Sequence, residues 1–205
     1  MPSEIEAKFY LRRLEATLHR VQELGGRLAV RRQLERNWRF DLPDGSLTAR
    51  GAVLRLRMDR SARLTFKAKT EQPERREEIE LEVGDSQAAI AFLEALGFRL
   101  IGLYEKHREV YALQDCQVMF DELPFGSFTE IEAPSVATLQ QTAARLGLRW
   151  DSRVSLSYLE LFERVRRALG LPMDQASFAA FAGLAPTDLE QLGLQDASGS
   201  MERTA

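Results

Sequence analysis

Glu4, Glu6 and Lys8 fall on every second residue at the start of the chain, and Glu130 and Glu132 repeat that spacing in its second half. In an extended strand alternate side chains point to opposite faces, so each set forms one charged row behind an apolar one. Ile5, Ala7 and Phe9 supply the apolar side of the first strand, and Ile131 lies between the two later carboxylates. The pattern recurs at Arg55 and Arg57, at Thr65, Lys67 and Lys69, at Arg76, Glu78, Glu80 and Glu82, and at Lys106 and Arg108, while Asp121 follows the apolar Val118 and Phe120. Guanidinium forks and ammonium groups are the side chains that grip phosphate oxygens. The basic candidates are Lys8, Arg55, Arg57, Lys67, Lys106 and Arg108, with Lys69, Arg76 and Arg153 as further ones, enough to match the charge of a triphosphate. The acidic candidates are Glu4, Glu6, Glu78, Glu80, Asp121, Glu130 and Glu132, hard oxygen ligands that suit Mg2+ or Mn2+ bridged to phosphates.

Such rows need strands to present them and helices to cover their apolar backs. Six or seven half-charged strands whose charged faces curl inward would close into a channel lined with both signs of charge. Helices are expected over 14–24, 86–96 with Ser86 as N-cap, 137–146 and 155–169. Glycines at Gly25, Gly97 and Gly147 stop the first three. Strands are expected at 28–32 and 36–41, separated from each other, and the short linkers further on suit antiparallel neighbours. Past Leu169 the texture changes, so the expected division is a main domain at 1–169 and a helical extension at 170–205. That extension comprises helices at 175–181 and 187–192 and a mobile end from 195. Phe178, Phe181 and Leu184 form an apolar stripe that calls for a partner: the domain's own surface, a homodimer contact, or one mouth of the channel.

With 28 Lys plus Arg against 31 Asp plus Glu, the net charge of −3 argues against general nucleic-acid binding. Cys116 is the single cysteine, so no internal disulfide forms. No signal peptide or transmembrane run is recognisable, and a cytoplasmic location with no membrane partner is the expectation. Gly-rich phosphate loops, zinc-type Cys/His spacing and a Ser nucleophile elbow are all absent from the sequence. His19 and His107 read as surface or packing residues.

Taken together, the Glu4-x-Glu6-x-Lys8 start, Leu54-Arg55-Leu56-Arg57, Leu64-Thr65-Phe66-Lys67, Arg76-Glu77-Glu78-Ile79-Glu80, Glu105-Lys106-His107-Arg108, Phe120-Asp121, Gly126 to Glu132 and Ser157-Tyr158-Leu159-Glu160-Leu161 resemble the CYTH superfamily. These triphosphate tunnel enzymes include class IV adenylate cyclases and thiamine triphosphatases. The resemblance implies an α+β fold, an eight-stranded antiparallel β tunnel closed as a barrel with helices packed outside. It also implies a triphosphate bound lengthwise and a requirement for divalent metal. It places the family's basic set on Lys8, Arg55, Arg57, Lys67, Lys106 and Arg108, and its metal carboxylates on Glu4, Glu6, Asp121, Glu130 and Glu132. Asn37 and Arg39 depart from the family pattern, which commonly has an acid and an aromatic there, near where an organic group would rest. The resulting expectation is metal-dependent hydrolysis of a triphosphate such as inorganic triphosphate, ATP or thiamine triphosphate. Conversion of ATP to cyclic AMP and pyrophosphate is the alternative, and a polyphosphate- or nucleotide-binding module without turnover is a second.

Overall fold

The computed structural model describes residues 5–69 and 76–198. In chain order the elements are β1 (Ile5–Leu11), α1 (Glu15–Glu23), β2 (Arg27–Asp41), α2 (Ser46–Ala49), β3 (Val53–Met58), β4 (Ala62–Lys69), β5 (Arg76–Val83) and α3 (Ser86–Ala95). There follow β6 (Arg99–Leu113), β7 (Cys116–Leu123), β8 (Gly126–Ala133), α4 (Val136–Arg145), a 3-10 turn (Trp150–Ser152), α5 (Tyr158–Ala168) and β9 (Gln175–Ala176). Strands β1 to β8 make one antiparallel sheet in the order β1-β8-β7-β6-β2-β3-β4-β5, and β9 adds in parallel to β6.

The sheet is not closed into a barrel, contrary to the expectation from sequence. Among the described residues β1 and β5 end the order and share no ladder. The free edge of β1 is already occupied, which explains why. Val154 N–H donates to Lys8 O at 2.8 Å, Phe9 bridges Arg153, and Ala197 N–H donates to Tyr10 O at 2.9 Å. The backbone groups that a closing strand would need are thereby satisfied by the connector before α5 and by the end of the described chain.

The strong twist and curl still bring the two edges near one another. Glu6 on β1 and Glu78 on β5 both act on the Glu132 carboxyl of β8. The convex face carries two cores. One joins Phe9, Leu11, Val118, Phe120 and Ile131 to Val21 of α1 and Leu139 and Ala143 of α4. The other joins Phe40, Leu54 and Leu56 to Leu47 of α2 and Leu93 of α3. Asp85, and not Ser86, caps α3, its side chain accepting from Gln87 N–H and Ala88 N–H. Residues 28–32 and 36–41 belong to a single strand, β2, whose ladder with β6 is interrupted by register shifts.

A third core lies on the concave face. Along β1 the inward row runs Glu6, Lys8, Tyr10, and along β8 Glu132, Glu130, Phe128, so each row turns from charged to apolar in one direction. At the apolar end Tyr10, Tyr104, Leu123 and Phe128 pack with Tyr158, Leu161, Phe162 and Val165 of α5. The stretch after α5 joins them. Phe181 stacks near Phe125 and Phe162, Leu189 is fully buried, and a Cβ on Gly126 would meet Leu189 at 2.5 Å.

This stretch is not helical as expected. It forms β9 and a series of turns, because Pro172, Gly183 and Pro186 punctuate segments too short to nucleate helices. Ala197, expected to be mobile, is fully buried and held by Tyr10 and Arg149. The rest of the expected mobile end, 199–205, lies outside the described residues. Among the described residues no helix is long and apolar enough to cross a membrane.

Candidate functional site

Cross-strand register sets the charged rows side by side. Lys8 faces Glu130 and Glu6 faces Glu132 across β1 and β8, Arg39 faces Arg55 across β2 and β3, Lys67 faces Glu78 across β4 and β5, and Arg108 faces Asp121 across β6 and β7. These side chains share the concave face, whose cavity of about 860 Å³ is bordered by Glu6, Lys8, Arg39, Lys67, Glu78 and Glu130. Its remaining wall is largely apolar, with Ile101, Trp150, Val154 and Leu159.

Deep in the concavity, charges pair with one another. Asp121 accepts from Lys106 Nζ at 3.1 Å, from Arg108 Nε at 2.6 Å and from the Tyr158 hydroxyl at 2.8 Å. Arg108 also donates to Glu130, and Lys106 Nζ lies 3.5 Å from Glu35. Lys106, Glu35 and Asp121 are all at most 2% exposed. Burial pushes the Glu35 carboxyl up, but Lys106, Arg108, Arg55 and Arg57 outweigh it and hold the group at about 2. Burial likewise opposes ionisation of Glu130, yet Arg108, Lys106 and Lys8 keep it well below the usual carboxylate range. The Tyr158 hydroxyl is pushed well above its ordinary value by burial and by the Asp121 and Glu130 charges, so it stays a donor.

Nearer β3 and β4 the balance is different. Arg39, Arg55, Arg57 and Arg63 each bury an Nε that has no hydrogen-bond partner. Burial lowers the Arg57 guanidinium below its usual value, and neighbouring Arg55 adds to the effect. A buried donor without an acceptor is costly, and four cations arranged this way suit an anion that supplies several acceptors.

The acidic candidates divide into two groups. Asp121, Glu130, Glu78 and Glu80 are each engaged by a cation: Glu78 Oε2 lies 2.8 Å from Lys67 Nζ, and Glu80 accepts from Arg57 at 3.3 Å and Thr65 at 3.0 Å. Glu6 and Glu132 stand opposite each other, and the Glu132 carboxyl is pushed up by its burial and by Glu6. Two carboxylates that repel each other on a polar wall fit a divalent cation. Among the described residues no group of three or more His, Cys, Asp or Glu side chains is arranged to hold a metal ion. Glu4, expected in that set, lies outside the described residues, as do the side chains of Lys69 and Arg76. Arg153 stands at the cavity edge with its guanidinium 3.8 Å over the Trp150 ring.

Glu35 was not among the sequence candidates. It lies on the inward row of β2, but Arg31, Arg32, Arg36 and Arg39 put charge on both faces of that strand and hide the alternation. Of the serines before α5, Ser157 caps the helix, with Glu160 N–H donating to its Oγ and its own N–H donating to Glu160 Oε2. His107 points away from Lys106 and Arg108 and stacks on Phe178, ring centroids 4.6 Å apart.

Relatives share this frame. The adenylate cyclase CyaB of Aeromonas hydrophila is 27% identical over 172 residues, covering 78% of this chain and 89% of that protein. A Pyrococcus horikoshii protein of solved structure superposes with a TM-score of 0.70 at 25% identity, over 80% of this chain and 99% of that one. A conserved hypothetical protein of Pyrococcus furiosus gives a TM-score of 0.66 at 28% identity, over 77% and 99%. The CYTH domain matches residues 2–157, the span that carries every inward charged row described above, and the chain therefore belongs to the CYTH domain family.

Proposed function

We propose that the concave face binds a nucleoside triphosphate together with divalent metal and cyclises it, the ribose 3'-hydroxyl attacking the α-phosphorus and pyrophosphate leaving. The observation that carries this reading is the row of buried, unpartnered guanidinium N–H groups at Arg39, Arg55, Arg57 and Arg63 beside a half-apolar cavity of about 860 Å³. A cavity of this size and lining has room for an organic group beyond the phosphates. In this reading Arg55, Arg57 and Lys67 grip the phosphate chain and neutralise the charge that grows on the leaving pyrophosphate, with Lys8, Lys106 and Arg108 completing the basic lining. Arg153 borders the opening, and Arg76 extends the basic set on β5. Asp121 and Glu130 hold Lys106 and Arg108 in place. Glu6 and Glu132, with Glu4 on the same strand, are the carboxylates that fit Mg2+ or Mn2+, and Glu78 and Glu80 lie on the facing wall. The metal, when bound, would supply positive charge at the phosphate oxygens.

Hydrolysis of the terminal phosphate would use the same grip. The adenylate cyclase among the relatives favours cyclisation, and the apolar wall serves an organic substrate better than a bare triphosphate. The test is a panel of inorganic triphosphate, thiamine triphosphate and ATP with Mg2+ or Mn2+, with phosphate, pyrophosphate and cyclic AMP measured separately. Cyclic AMP and pyrophosphate in equal amounts are expected from ATP. Phosphate without cyclic nucleotide would overturn cyclisation in favour of hydrolysis, and binding without any product would leave a binding module.

A further inference from the structure

Arg39 stands at the end of the basic rows where they meet the apolar wall. It lies four residues along β2 from Glu35, roughly 13 Å at the rise of a strand. Across β3 its partner is Arg55, and across β6 its partner is Gly102. Gly102 has no side chain to fill the space, and Leu159 of α5 occupies that side, where an added Cβ would meet it at 2.5 Å. The Arg39 guanidinium borders the cavity together with Ile101 and Leu159, and its Nε is buried without a hydrogen-bond partner. Asp41, two residues on, is consumed by the backbone N–H groups of Leu42, Leu47 and Thr48, and Glu160 by the cap of α5. Burial pushes the Arg39 guanidinium below its usual value, with no bonded carboxylate to offset it. A rigid fork of donors at the junction of phosphate row and apolar wall has a ligand group to meet.

We propose that Arg39 reads the base of the nucleotide and selects guanine over adenine. The chemistry is that of edge recognition: guanine offers O6 and N7 as two adjacent acceptors, which a guanidinium takes bidentately, whereas adenine offers N7 beside an amino donor that would face another donor. A glutamine side chain, with one donor and one acceptor, matches adenine instead. This inference rests on the nucleoside triphosphate reading above and names the base for the same site.

The experiment compares initial rates and affinities for GTP, ATP and inorganic triphosphate, with Mg2+ present, in the parent chain, in Arg39→Gln and in Arg39→Ala. The parent is expected to favour GTP about tenfold. Arg39→Gln is expected to reverse the order toward ATP, and Arg39→Ala to abolish the preference while inorganic triphosphate binding falls less than GTP binding. A parent that favours ATP, or variants that lose all three ligands equally, would overturn the base-reading role and place Arg39 in the phosphate row. A parent that acts on neither nucleotide would instead overturn the function on which the inference rests, so the two failures are distinguishable.

Discussion

Replacing Asp121 by Ala should destabilise the protein by about 3 to 5 kcal/mol, the cost of removing one partner from a buried ion network. Asp121 is fully buried and accepts from Lys106, Arg108 and Tyr158 at once, so its loss strands two cations and a hydroxyl in a low-dielectric interior. For a chain of this size each kcal/mol corresponds to about 2 to 4 °C of melting temperature, so thermal denaturation reads the effect directly. A loss of less than about 1 kcal/mol would show that the network is solvated.

The same network sets an acid limit on stability. Glu35 has an ordinary value of 4.5 and is held at about 2 in the folded chain, a difference worth about 3 kcal/mol. A depressed carboxylate contributes stability that is fully present above its unfolded value. That contribution should therefore be lost as the pH falls from about 4.5 toward 2, and Glu130 adds to it with the same sign.

Glu132→Gln should lower turnover by a hundredfold or more, about 3 kcal/mol of transition-state stabilisation, while the metal-free protein becomes slightly more stable. The two effects have one cause. Glu6 and Glu132 face each other across β1 and β8, and like charges directly opposite on a sheet repel. The Glu132 carboxyl is pushed up by burial and by Glu6, so its protonation stabilises the fold below the ordinary glutamate range, and that contribution is lost as the pH rises through its folded value. Removing the charge relieves the repulsion and deletes a ligand in the same step. Titration of Mn2+ into the parent and into Glu132→Gln, followed by melting temperature, checks this independently of turnover: the parent should gain stability with metal and the variant should gain less. Equal turnover and equal metal response in both would remove Glu132 from the metal site.

The charged rows were legible because strand alternation is a period-two code that survives without knowledge of neighbours. Lys8, Arg55, Arg57, Lys67, Arg108 and Glu130 all occupy the concave face for that reason. Closure was not legible, because it depends on what covers the β1 edge, and Val154 and Ala197 are distant in sequence from Lys8 and Tyr10. The pairing of charges within the concavity was hidden for a similar reason. Sequence gives Asp121 and Glu130 as candidate ligands, but cross-strand register decides that both meet Arg108. The stretch after α5 was misread because its apolar stripe signalled burial correctly while its backbone, broken by Pro172, Gly183 and Pro186, takes turns in place of helices.

The central claim is that unpartnered guanidinium groups on β3 await a triphosphate. Calorimetric titration of inorganic triphosphate into the parent chain and into Arg57→Ala tests it most directly, because no organic group contributes. The account expects tight binding in the parent and a loss of about 1.5 to 3 kcal/mol in the variant, the scale of a hydrogen bond to a charged group. Equal affinity in the two proteins would contradict it.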